Sequence, residues 1–307
     1  MSPEAQGHAA MLLFSALVAG SFSLGVIVAN DIDPTALTAV RFALAAALIG
    51  AICAATGRLQ RAHFRAPWRF ALLGGTFGIY FVLMFEGLKT APAVSAAAVF
   101  TLTPIMAGGF GYLLLRQHMT RRMALAISIG AVGALWVIFR ADMRAFLAFE
   151  IGRGEVIYFW GCVAHAIYAP LVRKLNRGEP ALAFTFGMLV AGAVLLFAAG
   201  ASQIAATDWA ALPPRVWIAL FYLSVFASAA SFFLLQYASL RLPAAKVMAY
   251  TYLTPSFVIL WEVALGNGAL PALILGGVGL TIVALALLLK SEHPVDMGQP
   301  AKARAAP

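Results

Sequence analysis

Apolar residues run nearly unbroken for about twenty positions at a time along this chain, and short polar links separate the runs. Ten runs can be drawn, at about 9–29, 35–56, 68–88, 92–115, 121–139, 154–174, 180–200, 215–238, 243–265 and 270–290. A helix rising 1.5 Å per residue needs about 20 apolar residues to cross a hydrocarbon layer ~30 Å thick. The pattern predicts an all-α, polytopic membrane protein with ten transmembrane helices. The first ten residues, "MSPEAQGHAA", carry no basic cluster, and the first apolar run is too long for a signal peptide. That run is expected to be a retained span. The polar, Pro- and Ala-rich residues 291–307 are expected to form a disordered cytoplasmic tail.

Composition narrows the classes. The chain has 307 residues, is 63% hydrophobic and only 11% charged, against about 25% charged in an ordinary soluble protein. A net charge of +9 raises the question of nucleic acid. The basic residues, however, fall in short clusters between apolar runs, without an aromatic-interleaved patch, so no nucleic-acid partner is expected. Cys53 and Cys162 lie far apart inside apolar runs, which fits small core hydrophobes and neither a disulfide framework nor a thiolate metal site.

The basic residues do set an orientation. Alternate links carry Arg58, Arg61, Arg65 and Arg69; Arg116, Arg121 and Arg122; Arg173, Lys174 and Arg177; and Arg241, with Lys290, Lys302 and Arg304 in the tail. Those fourteen face only Lys89, Arg140, Arg144, Arg153 and Arg215 on the opposite links. By the positive-inside rule both termini are cytoplasmic, in a multi-pass protein of the inner membrane.

The chain also repeats itself. Residues 91–105 laid over 242–256 match Pro92 with Pro243, Ala98 with Ala249, Leu102 with Leu253, Thr103 with Thr254 and Pro104 with Pro255. "GAVG" at 130–133 matches "GGVG" at 276–279, the offset falling from 151 to 146 because the first copy has the longer link "RQHMTRR". Each unit, 9–139 and 154–290, holds five spans. Five is odd, so the second copy enters the membrane from the opposite side: two inverted five-helix repeats, an architecture of secondary transporters.

"GLKTAPAVSAAAVFTLTP" followed by "SIGAVGAL", and "ASLRLPAAKVMAYTYLTP" followed by "ILGGVGLTIVALALLL", resemble the paired EamA modules of the drug/metabolite transporter superfamily. "TALTAVRFALAA", with its Arg41-Phe42 pair, resembles the second helix of that family, and the likeness covers residues 9–290. Within it the chain is most similar to aromatic amino acid exporters of the YddG type. The resemblance implies a ten-helix exporter of amino acids or similar small metabolites. The family often has a glutamate at the ends of the fourth and ninth helices. Here Gln117 and Asn267 stand at those places, so no role of those acids carries over.

Enzyme chemistry is not indicated. There is no phosphate loop for nucleotide-driven pumping and no zinc-protease motif, and "SFSLG" at 21–25 lacks the first glycine of a nucleophile elbow. No catalytic residue, metal or cofactor is expected. Nor is an obligate protein partner; the expected partners are a small-molecule substrate and the lipid bilayer.

About ten residues into each span lies the membrane midplane. Polar side chains there should turn inward, since lipid tails offer them nothing. They are Ser21 in the first span, Tyr80 in the third, Thr101 and Thr103 in the fourth, Trp160, His165 and Tyr168 in the sixth, Ser228 in the eighth, and Tyr250, Thr251 and Thr254 in the ninth. A central substrate cavity lined by spans 1, 3, 4, 6, 8 and 9 follows, with spans 2, 5, 7 and 10 as a frame. Pro104 and Pro255 each remove an N–H and crowd a carbonyl four residues back. Freed carbonyls in a bilayer need polar partners, and the neighbouring threonines supply hydroxyls within one turn. The two prolines are candidate gating breaks, with kinks that serve packing alone as the alternative.

Individual residues leave alternatives. Tyr80, Trp160, Tyr168 and Tyr250 either form an aromatic box for a ring or cation or simply pack. His165 either binds a carboxylate or relays a proton, or is structural. Arg41 either holds a substrate carboxylate or snorkels toward Asp31 or Asp33. Glu86, beside Lys89, and Glu262, near the outer end of its helix, are candidates for coupling or for local pairing and rim solvation. The function expected is export of small metabolites, amino acids including aromatic ones foremost, by alternating access. The alternatives are an exporter of lipophilic cations or drugs, and, from a different class, a channel or membrane sensor.

Overall fold

The computed structural model describes residues 2–57, 59–139, 142–148, 151–267 and 272–289. Arg58, Arg140, Lys290 and the 291–307 tail with Lys302 and Arg304 lie outside the described residues, as does the start of the tenth apolar run at 270–271. The described residues contain helices and no strand. Among the described residues, nine helices are long and apolar enough to cross a membrane, and a tenth apolar helix is shorter. They are α1 (Pro3–Val28), α2 (Pro34–Ala55), α3 (Trp68–Leu88), α4 in two pieces (Ala93–Phe100 and Thr103–Leu115), α5 (Arg121–Ile138), α6 (Arg153–Leu175) and α7 (Ala181–Ala199). Then come α8 (Pro214–Ser224, a π-helical turn Val225–Ala230, and Ser231–Ser239), α9 (Ala244–Ala249, a 3-10 turn Tyr250–Leu253, and Thr254–Ala264) and α10 (Ile274–Leu289).

The starts follow capping chemistry. Pro34 occupies the first turn of α2, where its missing N–H costs nothing, and the Asp33 carboxylate accepts from the N–H groups of Thr35 (2.8 Å) and Ala36 (3.1 Å). Asp33 is therefore engaged as a cap. α1 starts six residues before the expected boundary because Ser2 caps it, accepting from Ala5 N–H at 3.1 Å, with Pro3 in the first turn. α4 stops at Arg116, whose left-handed backbone (φ 55°) ends the helix.

The two halves of the chain interleave. α3 packs on α6 and α7, while α8 packs on α1 and α2; the second piece of α4 packs on α6, while that of α9 packs on α1; and α5 packs on α10. The α5–α10 contact is made at glycines. A Cβ on Gly133 would lie 2.7 Å from the Gly277 carbonyl oxygen, and one on Gly277 2.6 Å from the Gly133 carbonyl oxygen. Bare backbones in contact are how helices associate where no hydrophobic force acts between them.

Two ion pairs also join the halves. Arg69, at the start of α3, reaches Glu179 in the α6–α7 link at 2.6 Å, with side chains only 2% and 6% exposed, and donates to the Leu175 carbonyl at 2.6 Å. Arg215, at the start of α8, holds Asp31 in the α1–α2 link through two bonds of 2.6 and 2.8 Å, with side chains 58% and 18% exposed. Burial by itself would raise the Glu179 carboxyl. The Arg69 hydrogen bond and the Arg177 N–H (2.6 Å) outweigh it and hold the group below its ordinary value. The Arg215 hydrogen bond does the same for Asp31.

A carboxyl with a depressed folded-state pKa stabilises fully above its unfolded pKa, about 4.3 for Glu, and loses that contribution as pH falls through the folded value. Glu179→Gln leaves Arg69 buried beside a neutral amide and should lower stability by roughly 3–5 kcal/mol. Thermal unfolding across pH should show the wild type losing the contribution only below about pH 4, and E179Q without that acid limb. The exposed pair should matter little, so Asp31→Asn should melt close to wild type. Gly133→Ala should cost about 1–3 kcal/mol by forcing α5 from α10. Gly109→Ala, where a Cβ would meet nothing within 4 Å, is the control; equal melting of the two variants would refute the close-contact account.

Candidate functional site

The interior of the bundle is built on α3, α6 and α8. Successive turns of α3 present Phe77, Tyr80 and Phe81 to the same side, and α6 answers with Tyr158, His165 and Tyr168 at near-helical spacing. Phe77 lies parallel to Tyr168 with ring centres 4.2 Å apart and meets Phe232 of α8 at 4.4 Å. His165 sits among Tyr80 (4.5 Å), Phe100 (5.0 Å), Phe77 (5.6 Å) and Phe14 (6.4 Å). All these rings are buried. The rings expected to line a central space are therefore packed against one another.

Within that cluster, polar atoms are partly satisfied. Gln236 donates to the Tyr168 hydroxyl at 2.8 Å, and the Thr185 hydroxyl donates to Gln236 Oε1 at 3.0 Å. The Tyr80 and Tyr158 hydroxyls are 3.3 Å apart. His165 Nδ1 and the hydroxyls of Ser21, Ser231 and Thr254 are buried with no hydrogen-bond partner among the described residues. Native interiors rarely tolerate such atoms without a reason.

Arg41 does not snorkel. It is wholly buried, Nε donating to Ser228 Oγ (2.9 Å) and Nη2 to the Ala227 carbonyl (3.0 Å), both in the π turn of α8. Asp31 is occupied by Arg215 and Asp33 by the α2 cap, so neither draws the guanidinium outward. The expectation that α2 and α7 serve only as frame is corrected with it: Arg41 and Thr185 both reach the interior.

Each proline lies just past a break. α4 stops at Phe100 and resumes at Thr103, so Pro104 stands in a first helical turn; α9 tightens to a 3-10 turn at Tyr250–Leu253, with Pro255 in the first turn that follows. The hydroxyls of Thr101, Thr103 and Thr251 donate to the carbonyls of Ala98 (2.6 Å), Phe100 (2.7 Å) and Met248 (2.7 Å). Thr103 and Thr251 also approach each other at 3.1 Å, which ties the two breaks together.

The four-ring box does not form. Trp160 is 61% exposed and faces outward. Two positions along a helix turn a side chain by about 200°, so Tyr158 and Cys162 take the inner face and Trp160 the outer. Tyr250 belongs elsewhere: its hydroxyl is 2.8 Å from His8 Nδ1, and it lines a lateral groove of about 680 Å³ with Leu12, Ser256, Phe257 and Leu285. Tyr80 and Tyr168 do share the central cluster, both in contact with Phe77. At the rims, Glu86 pairs with Lys89 at 2.7 Å, and Glu262 accepts from Asn267 at 2.9 Å. Gln117 Oε1 accepts from the Ala244 N–H at 3.1 Å, tying the end of α4 to the start of α9.

Sequence reading missed Phe77, Phe232, Tyr158 and Gln236. The aromatics look like any apolar residue of a span, and only the shared face of Phe77 with Tyr80 and of Tyr158 with His165 hinted at them.

The fold and this interior define a polytopic helical membrane protein whose halves interlock around a polar-aromatic centre. The model of the EamA-like transporter family matches residues 5–139 and again 152–290, and the chain belongs to that family. It is 25% identical over 283 residues to the "Uncharacterized transporter YyaM" of Bacillus subtilis (strain 168), covering 92% of each chain. A solved structure described as "Crystal structure of protein" matches with a TM-score of 0.72 at 21% identity, over 94% of this chain and 97% of the other, and shares the fold.

Tyr168→Phe removes the acceptor of Gln236 and leaves a buried amide N–H unpaired. It should lower stability by about 1–3 kcal/mol. The double variant with Gln236→Leu should recover part of that loss in thermal unfolding; additive losses would show that the bond is unimportant.

Proposed function

We propose that the protein exports small metabolites, aromatic amino acids foremost, across the inner membrane by alternating access, with both termini cytoplasmic. The observation that carries this reading is the matched pair of inter-half ion pairs. Arg69 and Arg215 each stand second in the third helix of their half. Each binds an acid in the link between the first two helices of the other half. Such a swap is what an inverted repeat produces, and it provides one closure at each membrane face around the packed centre. The two helix breaks, in contact through the Thr103 and Thr251 hydroxyls 3.1 Å apart, support movement at the same level.

Residues shared by the copies then serve mechanics, and residues that break the symmetry handle substrate. Tyr80 is matched by Ser231, and His165 by the Ala19–Gly20 region. The interior aromatics favour a solute that carries a ring. A channel is disfavoured by a centre filled with side chains, and a lipophilic cation by Arg41 standing in it.

Purified protein in liposomes loaded with unlabelled phenylalanine, with labelled phenylalanine outside and no ion gradient, should accumulate label transiently. No accumulation across a panel of amino acids would overturn the amino acid reading in favour of drug or cation export. Flux without trans-stimulation would indicate a channel. In the same assay Pro104→Ala and Pro255→Ala should slow all substrates alike, while Tyr80 and His165 substitutions should change which substrates are preferred. The opposite pattern would reverse the roles assigned.

A further inference from the structure

We propose that Arg41 is a carboxylate receptor, and that the solutes carried are apolar or aromatic monocarboxylates whose amino group is dispensable. The inference rests on the exporter reading and names its substrate class.

A guanidinium presents five N–H donors in a planar fork. Only one edge of Arg41 is used, Nε by Ser228 and Nη2 by Ala227. Nη1 is buried and has no hydrogen-bond partner among the described residues. The end of the fork, Nη1 with the second hydrogen of Nη2, is therefore available, and it is the edge that takes a carboxylate through two parallel bonds. No carboxylate among the described residues pairs with Arg41; the ion pairs there are Arg69–Glu179, Lys89–Glu86 and Arg215–Asp31. A permanently charged group in a bilayer interior normally acquires a partner.

The surroundings offer only partial relief. The Arg41 guanidinium stands 3.9 Å from the Phe81 ring centre and 5.6 Å from that of Phe85, contacts that offset part of the desolvation of a cation. The bonds to the π turn orient the fork and leave its charge uncompensated. π turns inside α-helices are rare and concentrate at functional sites, and this one holds Arg41.

The same ring leads to the rest of the solute. Phe81 contacts Tyr80 at 4.5 Å and Phe77 at 5.2 Å, so the receptor adjoins the aromatic cluster. A solute with its carboxylate on Arg41 lays its apolar part on those rings. An ammonium group meets the fixed positive charge of Arg41, which pairs with no acid among the described residues. Recognition thus rests on the carboxylate and the ring.

The test uses the whole protein in liposomes and in detergent, with phenylalanine, 3-phenylpropionate and phenylethylamine as probes. Phenylalanine and 3-phenylpropionate should raise the melting temperature and drive exchange of labelled phenylalanine from the opposite side, and phenylethylamine should do neither. Arg41→Lys, which keeps the charge and loses the fork, should weaken both carboxylates at least tenfold. Ser228→Ala keeps Arg41 and loosens its anchor, and should weaken them severalfold, so the inference stays testable if the Lys variant does not fold. Phenylethylamine acting as well as 3-phenylpropionate, or Arg41 and Ser228 variants with unchanged carboxylate-over-amine preference, would overturn the inference while leaving the exporter reading intact. Failure of the wild type to exchange any amino acid would overturn that reading itself.

Discussion

Inside a bilayer every backbone N–H and C=O must find its partner within the protein, because the hydrocarbon supplies none. The breaks in α4 and α9 are where this chain departs from a plain helix, and its side chains show how it meets the cost. Pro104 disturbs the carbonyl of Phe100, and the Thr103 hydroxyl bonds that same carbonyl. Thr101 and Thr251 bond the carbonyls of Ala98 and Met248 beside the same breaks. The hydroxyls are thus part of the backbone's own hydrogen bonding, and because Thr103 also meets Thr251 they join the two breaks into one element. The π turn of α8 is a third departure, and there the partner is Arg41, which takes the Ala227 carbonyl.

Charge is distributed under the same constraint. At the two ends, where water is near, arginines meet acids across the interface between halves. The buried Arg69–Glu179 pair is held by further bonds to Leu175 and Arg177, and the Arg215–Asp31 pair stands open to solvent. Breaking a buried pair strands a charge, whereas an exposed pair exchanges its partner for water. The two pairs are accordingly unequal, and the solvent-facing one contributes less to stability. In the middle a single arginine stands without an acid, leaning on aromatic rings and two neutral acceptors.

Packing does the rest. Where α5 meets α10, glycine faces glycine and the backbones touch; where α3 meets α6, large rings interdigitate. The first contact resists any added atom. The second consists of interlocking side chains.

The element pattern was legible in the chain because each requirement behind it is local: twenty apolar residues to cross, a cap such as Asp33 before Pro34, a threonine within a turn of a proline. The glycine patches of α5 and α10 announced close packing for the same reason. Which polar residues meet was not legible, since it depends on the rotation of each helix about its own axis. Trp160 and Tyr158 lie two residues apart at similar depth, yet one faces outward and the other the aromatic cluster. Tyr250 turned to His8 and away from Tyr80. Asp31 and Asp33 are the nearest acids to Arg41 along the chain, and only the packed bundle shows them already taken by Arg215 and the α2 cap. Sequence alone determined a helical membrane chain of two similar halves, with its breaks and its basic and acidic links. Tertiary structure decided the composition of the centre, because a helix in lipid is apolar on every side and carries little mark of which side faces in.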